Sequence, residues 1–222
     1  MNKVILLIVS FLVSVNLYGQ LTKQVDTFSK VVANDAITVF LIPSNEQKVE
    51  ISGFQAEKVQ LKVENKVLYL HFPESNPVEG NDILAKVYFI QLNALEANDG
   101  CNIGASGLIT TPNFDIVAME SSKVKLNIKA DKVNARISQG SKLDLIGSTL
   151  SLDVVANNAS KINANSCMVQ EAVVNANAGG EIYVNASQSV DARVRAGGSI
   201  FIEGNPKKIT KQTLLGGDII VK

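Results

Sequence analysis

Three regularly spaced lysines are the side chains of this sequence with the clearest capacity for binding chemistry. Lys123, Lys142 and Lys161 follow one another at intervals of 19 residues. If the chain repeats a structural unit at that interval, the ammonium groups lie on successive units about 4.8 Å apart. Such a stripe would bind an anionic glycan or a lipopolysaccharide. The alternative is three solvated side chains that splay apart, because directly stacked like charges repel one another.

Three glycine-rich phrases are a second candidate site, because glycine-rich loops can bind phosphate. The phrases are "NAGGEIYV" from Asn177, "RAGGSIFI" from Arg195 and "LLGGDIIV" from Leu214. A phosphate-binding P-loop opens into a helix and carries a lysine, and none of the phrases has these features. We therefore predict that their glycines form structural turns; these glycines are Gly179, Gly180, Gly197, Gly198, Gly216 and Gly217.

The remaining polar residues do not predict a catalytic site. The one histidine, His71, faces outward in the alternating stretch "LYLHF" and has no second histidine or cysteine at a metal-ligand spacing. Asp144 has no second carboxylate at the equivalent position of adjacent repeats, so the acid pair of glycoside hydrolysis is not visible. The repeats also lack the aspartate that calcium-binding β-helix turns carry. The sequence predicts no metal, no cofactor and no enzymatic activity.

Charge and composition narrow the class of protein further. Lysine and arginine number 21 and aspartate and glutamate number 21, so no basic excess points to a nucleic-acid partner. Aromatic residues make up only 5% and tryptophan is absent, so the core must consist of valine, isoleucine, leucine and alanine. Small branched side chains suit thin, regular β-layers.

A repeat of about 19 residues organises the second half of the chain. Small residues recur at intervals of 18 to 21 residues; they are Cys101, Ser122, Ser141, Ser160, Gly180, Gly198 and Gly217. The positions two residues after them are all branched aliphatic; they are Ile103, Val124, Leu143, Ile162, Ile182, Ile200 and Ile219. Apolar residues alternate with polar ones on both sides of the small residue. Each repeat therefore reads as two short strands joined at a small-residue corner.

Repeats of this size predict a β-solenoid. A unit of about 19 residues buries its apolar side chains only by stacking on its neighbours. Stacked units pair their strands in parallel, and the usual hand of parallel crossovers is right-handed. We predict an all-β fold, a right-handed parallel β-helix with rungs of about 19 residues, preceded by irregular N-terminal β-strands.

The chain divides into three segments. Residues 1–19 read as a secretory signal peptide, because a lysine precedes a short apolar run and a polar, small-residue exit; a retained membrane anchor is the alternative. Residues 20–91 contain strands of weaker periodicity, predicted to be either the first, irregular rungs or a small sheet that caps the solenoid. Residues 92–222 contain the repeats.

The repeat register also predicts the state of the cysteines and of the last strand. Cys101 lies at a corner, whereas Cys167 lies in another column three rungs away, roughly 14 Å, so a disulfide is out of reach. Both thiols are predicted to be free, with Cys101 facing the interior. The last repeat ends on "DIIV" with nothing to cover the strand, which predicts a homo-oligomer through this C-terminal edge.

The sequence also resembles a known family. The phrases "LNALEANDGCNI", "GGEIYV", "GGSIFIEGNPKKI" and "GGDIIV" are similar to those of the putative auto-transporter adhesin, head GIN domain family of secreted bacterial proteins. The resemblance covers roughly residues 20–222 and is most specific over residues 197–221, whereas serine-containing pairs replace "GG" over residues 121–160. It implies a β-helical fold, a surface or periplasmic setting and an adhesin role, with no catalytic residues.

These observations predict an exported, non-enzymatic β-solenoid that binds through its polar outer faces. Its partner would be a cell-surface glycan or protein, and its location the periplasm, the outer-membrane surface or the medium. Two alternatives stay open. One is an enzyme that acts on polysaccharide with an acidic cluster formed only on folding; the other is a self-associating structural protein of the envelope.

Overall fold

The computed structural model describes residues 21–73 and 82–222, and β-strands dominate both ranges. The strands are β1 (Leu21–Gln24), β2 (Lys30–Ala33), β3 (Thr38–Pro43), β4 (Lys48–Ser52), β5 (Gln60–Glu64), β6 (Val67–His71), β7 (Leu84–Phe89), β8 (Ala94–Ala97), β9 (Asn102–Ala118), β10 (Lys123–Ile137), β11 (Lys142–Ala156), β12 (Lys161–Asn177), β13 (Glu181–Arg195), β14 (Gly198–Glu203), β15 (Lys208–Leu214) and β16 (Gly217–Val221). A short 3-10 helix, η1 (Ala56–Lys58), separates β4 from β5, and the described residues contain no α-helix. The predicted signal peptide lies outside the described residues.

The long strands β9 to β13 stack in parallel as successive turns of a solenoid. Val124 of β10 lies beside Leu143 of β11, which lies beside Ile162 of β12. Equivalent residues of the repeats therefore occupy equivalent places, and aliphatic side chains stack on aliphatic side chains. The prediction of a β-solenoid is confirmed, with about seven turns and rungs of about 19 residues.

Each long strand contributes to two faces of the solenoid. Buried and exposed side chains alternate along it, and this alternation shifts by one residue at a single point. In β10 the side chains of Val124, Leu126, Ile128 and Ala130 are buried, and so are those of Val133, Ala135 and Ile137. Between these two series, Asp131 and Lys132 are consecutive and both exposed. We call residues 123–126 and their equivalents the first face, and residues 132–137 and their equivalents the second face. The bend between the two faces, within each long strand, is the second corner; the turn that joins one rung to the next is the first corner.

The first corner joins one rung to the next and explains the glycine-rich phrases. Two consecutive left-handed residues form it, for example Ala178 (φ 47°) with Gly179 (φ 75°). The next residue, Gly180, is not left-handed, but a Cβ there would lie 2.2 Å from the carbonyl oxygen of Ala156 on the neighbouring rung. The first glycine of the pair is therefore needed for its left-handed backbone conformation, and the second is needed because a side chain would collide with the neighbouring rung.

Small polar side chains occupy the position of Gly180 in earlier rungs. Ser122, Ser141 and Ser160 are buried there, and the hydroxyl of Ser160 donates to the carbonyl oxygen of Ile137 at 2.8 Å. Cys101 takes the same position one rung earlier and is fully buried. Serine and cysteine are tolerated here because they are small and because the rungs leave room for a hydrogen bond.

Both cysteines are free and buried, as predicted. Burial raises the pKa of the Cys101 thiol to about 12 and that of the Cys167 thiol to about 11. Since the thiolate is the reactive species, both side chains act as small apolar core residues at neutral pH.

The N-terminal strands continue the solenoid in a spatial order that differs from their sequence order. β2 pairs in parallel with β8 and β3 with β9, so β2 and β3 form one further rung. β6 pairs with β2 and β7 with β3, so these later strands form the next rung outward. The chain then returns to β8, which lies between β2 and β9 and pairs in parallel with both. The parallel pairing of β2, β3, β6 and β7 continues across residue 91 into the repeats.

Antiparallel strands cover the N-terminal end of the solenoid. β4 pairs antiparallel with β7, β1 with β4, and β5 with β6. Among the described strands the outermost at this end are β1 and β5, with four and five residues. Short, polar edges of this kind discourage the addition of further strands.

Candidate functional site

The predicted lysine stripe lies on the first face in the expected register. Lys123 lies beside Lys142, and Lys142 lies beside Lys161. Lys123 and Lys142 are exposed and make no ion pair within the described part of the chain. Lys125, also exposed, lies beside Asp144, whose carboxylate accepts a hydrogen bond from Asn163 at 3.1 Å.

Three exposed cations that form no ion pair within residues 21–73 and 82–222 are thus gathered on two adjacent rungs. We call Lys123, Lys125 and Lys142 the lysine cluster. Lys161 differs from them, because its ammonium lies 3.3 Å from Glu181 and 4.6 Å from the ring centroid of Tyr183. The structure therefore brings all three predicted lysines together. Of these three, Lys161 forms an ion pair and a cation–π contact within the described residues, whereas Lys123 and Lys142 form neither.

A stack of four side chains follows the lysine cluster toward the C-terminal rungs. The rings of Tyr183 and Phe201 are stacked, with centroids 4.5 Å apart and planes inclined by 10°. The ammonium of Lys161 lies over the outer face of Tyr183, and that of Lys222 lies 5.9 Å from the Phe201 centroid. Since lysines occupy both outer ring faces, these aromatics are not free to stack on a sugar. Cation–π contacts at exposed positions contribute about 0.5–1 kcal/mol each, so the stack acts on stability.

A carboxylate organises the polar edge of this stack. The Tyr183 hydroxyl donates to Glu181, and this hydrogen bond, with the nearby ammonium of Lys161, holds the pKa of Glu181 below its ordinary value although partial burial opposes the shift. The same hydrogen bond raises the pKa of Tyr183. Glu181 therefore favours the folded state most when it is ionised.

We expect Glu181→Gln to flatten the acid dependence of stability. Because the folded pKa is depressed, the contribution of Glu181 is complete above its ordinary value of 4.5 and is lost as the pH falls through the folded value. The pair is partly exposed, so its loss at pH 7 should cost at most about 1 kcal/mol. Urea unfolding at pH 7 and pH 3 measures the difference. Glu171→Gln, an exposed carboxylate elsewhere, is the control, and an unchanged pH dependence in Glu181→Gln would contradict the expectation.

A groove runs along the second corner of the middle rungs and was not predicted from the sequence. Its volume is about 640 Å³, and strands β9 to β13 line it. Thr149 and Val169 are buried at its base, whereas Leu150 and Met168 are exposed at 49% and 70%. Its apolar residues lie at the bend, where alternation breaks down and no period marks them. The feature of the sequence that could have indicated the groove is the unequal length of the repeats. The extra residues of the longer repeats form bulges close to this bend.

The second face carries carboxylates that are already bound. Asp115, Asp153 and Asp191 lie on alternate rungs of one column. Asp115 accepts from Asn134 at 2.7 Å, and an arginine binds each of the other two carboxylates. This column also escaped the sequence analysis, because asparagine and valine interrupt it. Its paired carboxylates form a surface ladder of hydrogen bonds and ion pairs.

The described residues add no metal or membrane-spanning element. His71 is half-buried on β6, and its Nδ1 lies 2.9 Å from the Phe72 carbonyl oxygen. Within residues 21–73 and 82–222, no three histidine, cysteine or acidic side chains are grouped so that they could hold a metal ion. No helix in these ranges has the length and hydropathy needed to cross a bilayer.

Fold and surface together define a β-solenoid with flat, polar outer faces. The family described as "Putative auto-transporter adhesin, head GIN domain" matches residues 27–206, and the chain belongs to this family. The resemblance found in the sequence is therefore confirmed. No curated protein matches the sequence.

Solved structures share this fold. A putative adhesin from Bacteroides fragilis NCTC 9343 is 21% identical, with a TM-score of 0.84 over 91% of this chain and 96% of that one. A putative adhesin from Parabacteroides merdae ATCC 43184 is 15% identical, with a TM-score of 0.71 over 92% and 95%. A putative lipid binding protein from Parabacteroides distasonis ATCC 8503 is 17% identical, with a TM-score of 0.72 over 92% and 96%. At these identities the similarity shows the fold alone.

Proposed function

We propose that the protein is an exported, adhesin-like binding module without enzymatic activity. Membership of the head GIN domain family supports the adhesin-like role and a surface or exported setting. In this proposal residues 1–19 direct export and are removed after Gly19. Binding takes place on the outer faces of the solenoid.

The lysine cluster is the observation that carries the choice of ligand. Lys123, Lys125 and Lys142 present three ammonium groups on two neighbouring rungs and form no ion pair within the described residues. The carboxylate beside Lys125, that of Asp144, accepts a hydrogen bond from Asn163. Rungs lie about 4.8 Å apart, so a linear anionic polymer lying along the solenoid axis meets cations on successive rungs. An anionic cell-surface glycan has this chemistry.

Charge reversal of the cluster tests this proposal. We expect Lys123→Glu combined with Lys142→Glu to weaken binding of polygalacturonate or lipopolysaccharide about tenfold or more, because two attractive contacts become repulsive. Binding of the wild type should weaken with added salt, since exposed charges are screened. Biolayer interferometry with both probes, and neutral dextran for comparison, measures the effect.

A matched variant separates the cluster from net charge. Lys66→Glu combined with Lys132→Glu changes the charge equally at exposed positions away from the cluster and should retain affinity. Equal loss of affinity in both variants, or none in either, would remove the cluster from the proposal. Release of reducing ends from a bound polymer would favour the enzyme alternative.

A further inference from the structure

The two ends of the solenoid differ in how their strand edges are protected. At the N-terminal end, the antiparallel strands β1, β4 and β5 cover the parallel rungs. At the other end, β16 pairs only with β14, and β15 only with β13, among the described strands. Leu214, Leu215, Ile220 and Val221 are exposed there.

The edge of β15 is unsuited to further pairing. Lys211 occupies a column whose equivalents in earlier rungs, Val174 and Ala192, are buried in the core. A strand added beside β15 would enclose this inward-pointing ammonium, which is costly without a partner. Lys208, on the same strand, adds a second positive charge.

The edge of β16 carries no such charge at its inward positions and is complementary to itself. Ile219 and Val221 lie on the inward side, whereas Asp218, Ile220 and Lys222 alternate outward. When two copies of this segment run antiparallel about Ile220, Asp218 of each copy faces Lys222 of the other. In the same register Ile219 faces Val221. Charges therefore meet opposite charges and apolar side chains meet apolar side chains.

We propose that β16 pairs with β16 of a second copy, antiparallel and in this register, to form a tail-to-tail dimer. The contact is two-fold symmetric, so it closes at two copies, and the covered N-terminal ends do not extend it into a fibre. The axis is perpendicular to the first face, so both copies present that face on the same side. If the lysine cluster binds as proposed above, the dimer displays two clusters roughly 40–50 Å apart, counting about 4.8 Å per rung. One long polymer can then engage both clusters, which raises avidity.

Sedimentation equilibrium on the full chain, with complementary single variants, tests the register. The interface is small, so the wild type should convert from monomer to dimer over roughly 1–500 µM. Asp218→Lys alone and Lys222→Asp alone should each be monomeric, because each places like charges opposite one another. An equimolar mixture of the two variants should dimerise, because each chain then supplies what the other lacks.

Two further variants report on the same geometry. Ile220→Cys should form a disulfide-linked dimer on mild oxidation, since residue 220 lies on the symmetry axis, whereas Leu150→Cys at the second corner should not. Glu203→Gln removes the ion pair of Lys222 within its own chain (3.1 Å) and should leave dimerisation intact. These readouts do not depend on glycan binding, so failure here leaves the lysine cluster untouched.

Three results would overturn the dimer. The first is a wild type that stays monomeric at all concentrations. The second is a mixture of Asp218→Lys and Lys222→Asp chains that fails to associate while each remains folded by circular dichroism. The third is growth beyond two copies, which would assign the edge to a head-to-tail contact.

Discussion

A Gly180→Ala variant is expected to lose about 3 kcal/mol of unfolding free energy, whereas Gly179→Ala beside it should lose only about 1 kcal/mol. At Gly180 an added Cβ would lie 2.2 Å from the carbonyl oxygen and 2.7 Å from the carbonyl carbon of Ala156, so the rungs must separate. At Gly179 the nearest atom is 3.9 Å away, and the cost is that of a left-handed backbone at φ 75°. Chemical denaturation of the two variants beside the wild type measures both values.

The neighbouring rungs support this difference in cost. Non-glycine residues such as Ala159 (φ 56°) and Ser121 (φ 64°) already occupy the position of Gly179 in other rungs. At the position of Gly180, the hydroxyl of Ser160 lies 2.8 Å from the equivalent carbonyl oxygen, that of Ile137, so this carbonyl leaves room for a side chain. A larger loss for Gly179→Ala than for Gly180→Ala would show that backbone conformation, not space, determines the glycine pair.

Phe114→Ala should be among the most destabilising single truncations in the core, at about 3–5 kcal/mol. Phe114 is fully buried on β9, whereas the next equivalents in its column are Val133 and Leu152. Both are smaller than phenylalanine, so these two rungs cannot fill the space that Phe114 leaves. Phe40→Ala is the matched control, because Phe40 is 44% exposed and its loss should cost less than about 1 kcal/mol.

The loss should also be local, because each rung of a solenoid contacts mainly its neighbours. Hydrogen exchange should accelerate most in β8, β9 and β10 and least in β13 and β14. Uniform acceleration along the chain would contradict the local effect, and equal stability losses for Phe114→Ala and Phe40→Ala would contradict the role of burial.

Part of the candidate site was predictable because it depends only on the repeat. Lys123 and Lys142 are equivalent by sequence spacing, and equivalent residues lie side by side once rungs stack. The same register places Glu181 beside Lys161, so this ion pair was also within reach of the spacing, although the sequence analysis did not draw it. The contact of Lys161 with the Tyr183 ring was not predictable, because it depends on side-chain conformations that the repeat does not fix. The groove at Leu150 and Met168 was missed because bulges break the alternation there.

The sequence by itself determined the rung: its length, its small-residue corner, the aliphatic columns and the separation of Cys101 from Cys167. These features follow from the alternation of apolar and polar residues within a strand, which is local in sequence, and from the stacking of equivalent residues of successive repeats, which is periodic. Only the tertiary structure decided that β6 and β7 lie outside β2 and β3, because those strands have no periodic relation to one another. It also decided that Gly179 is needed for its left-handed backbone and Gly180 for the absence of a side chain, since that distinction depends on how closely a neighbouring carbonyl approaches.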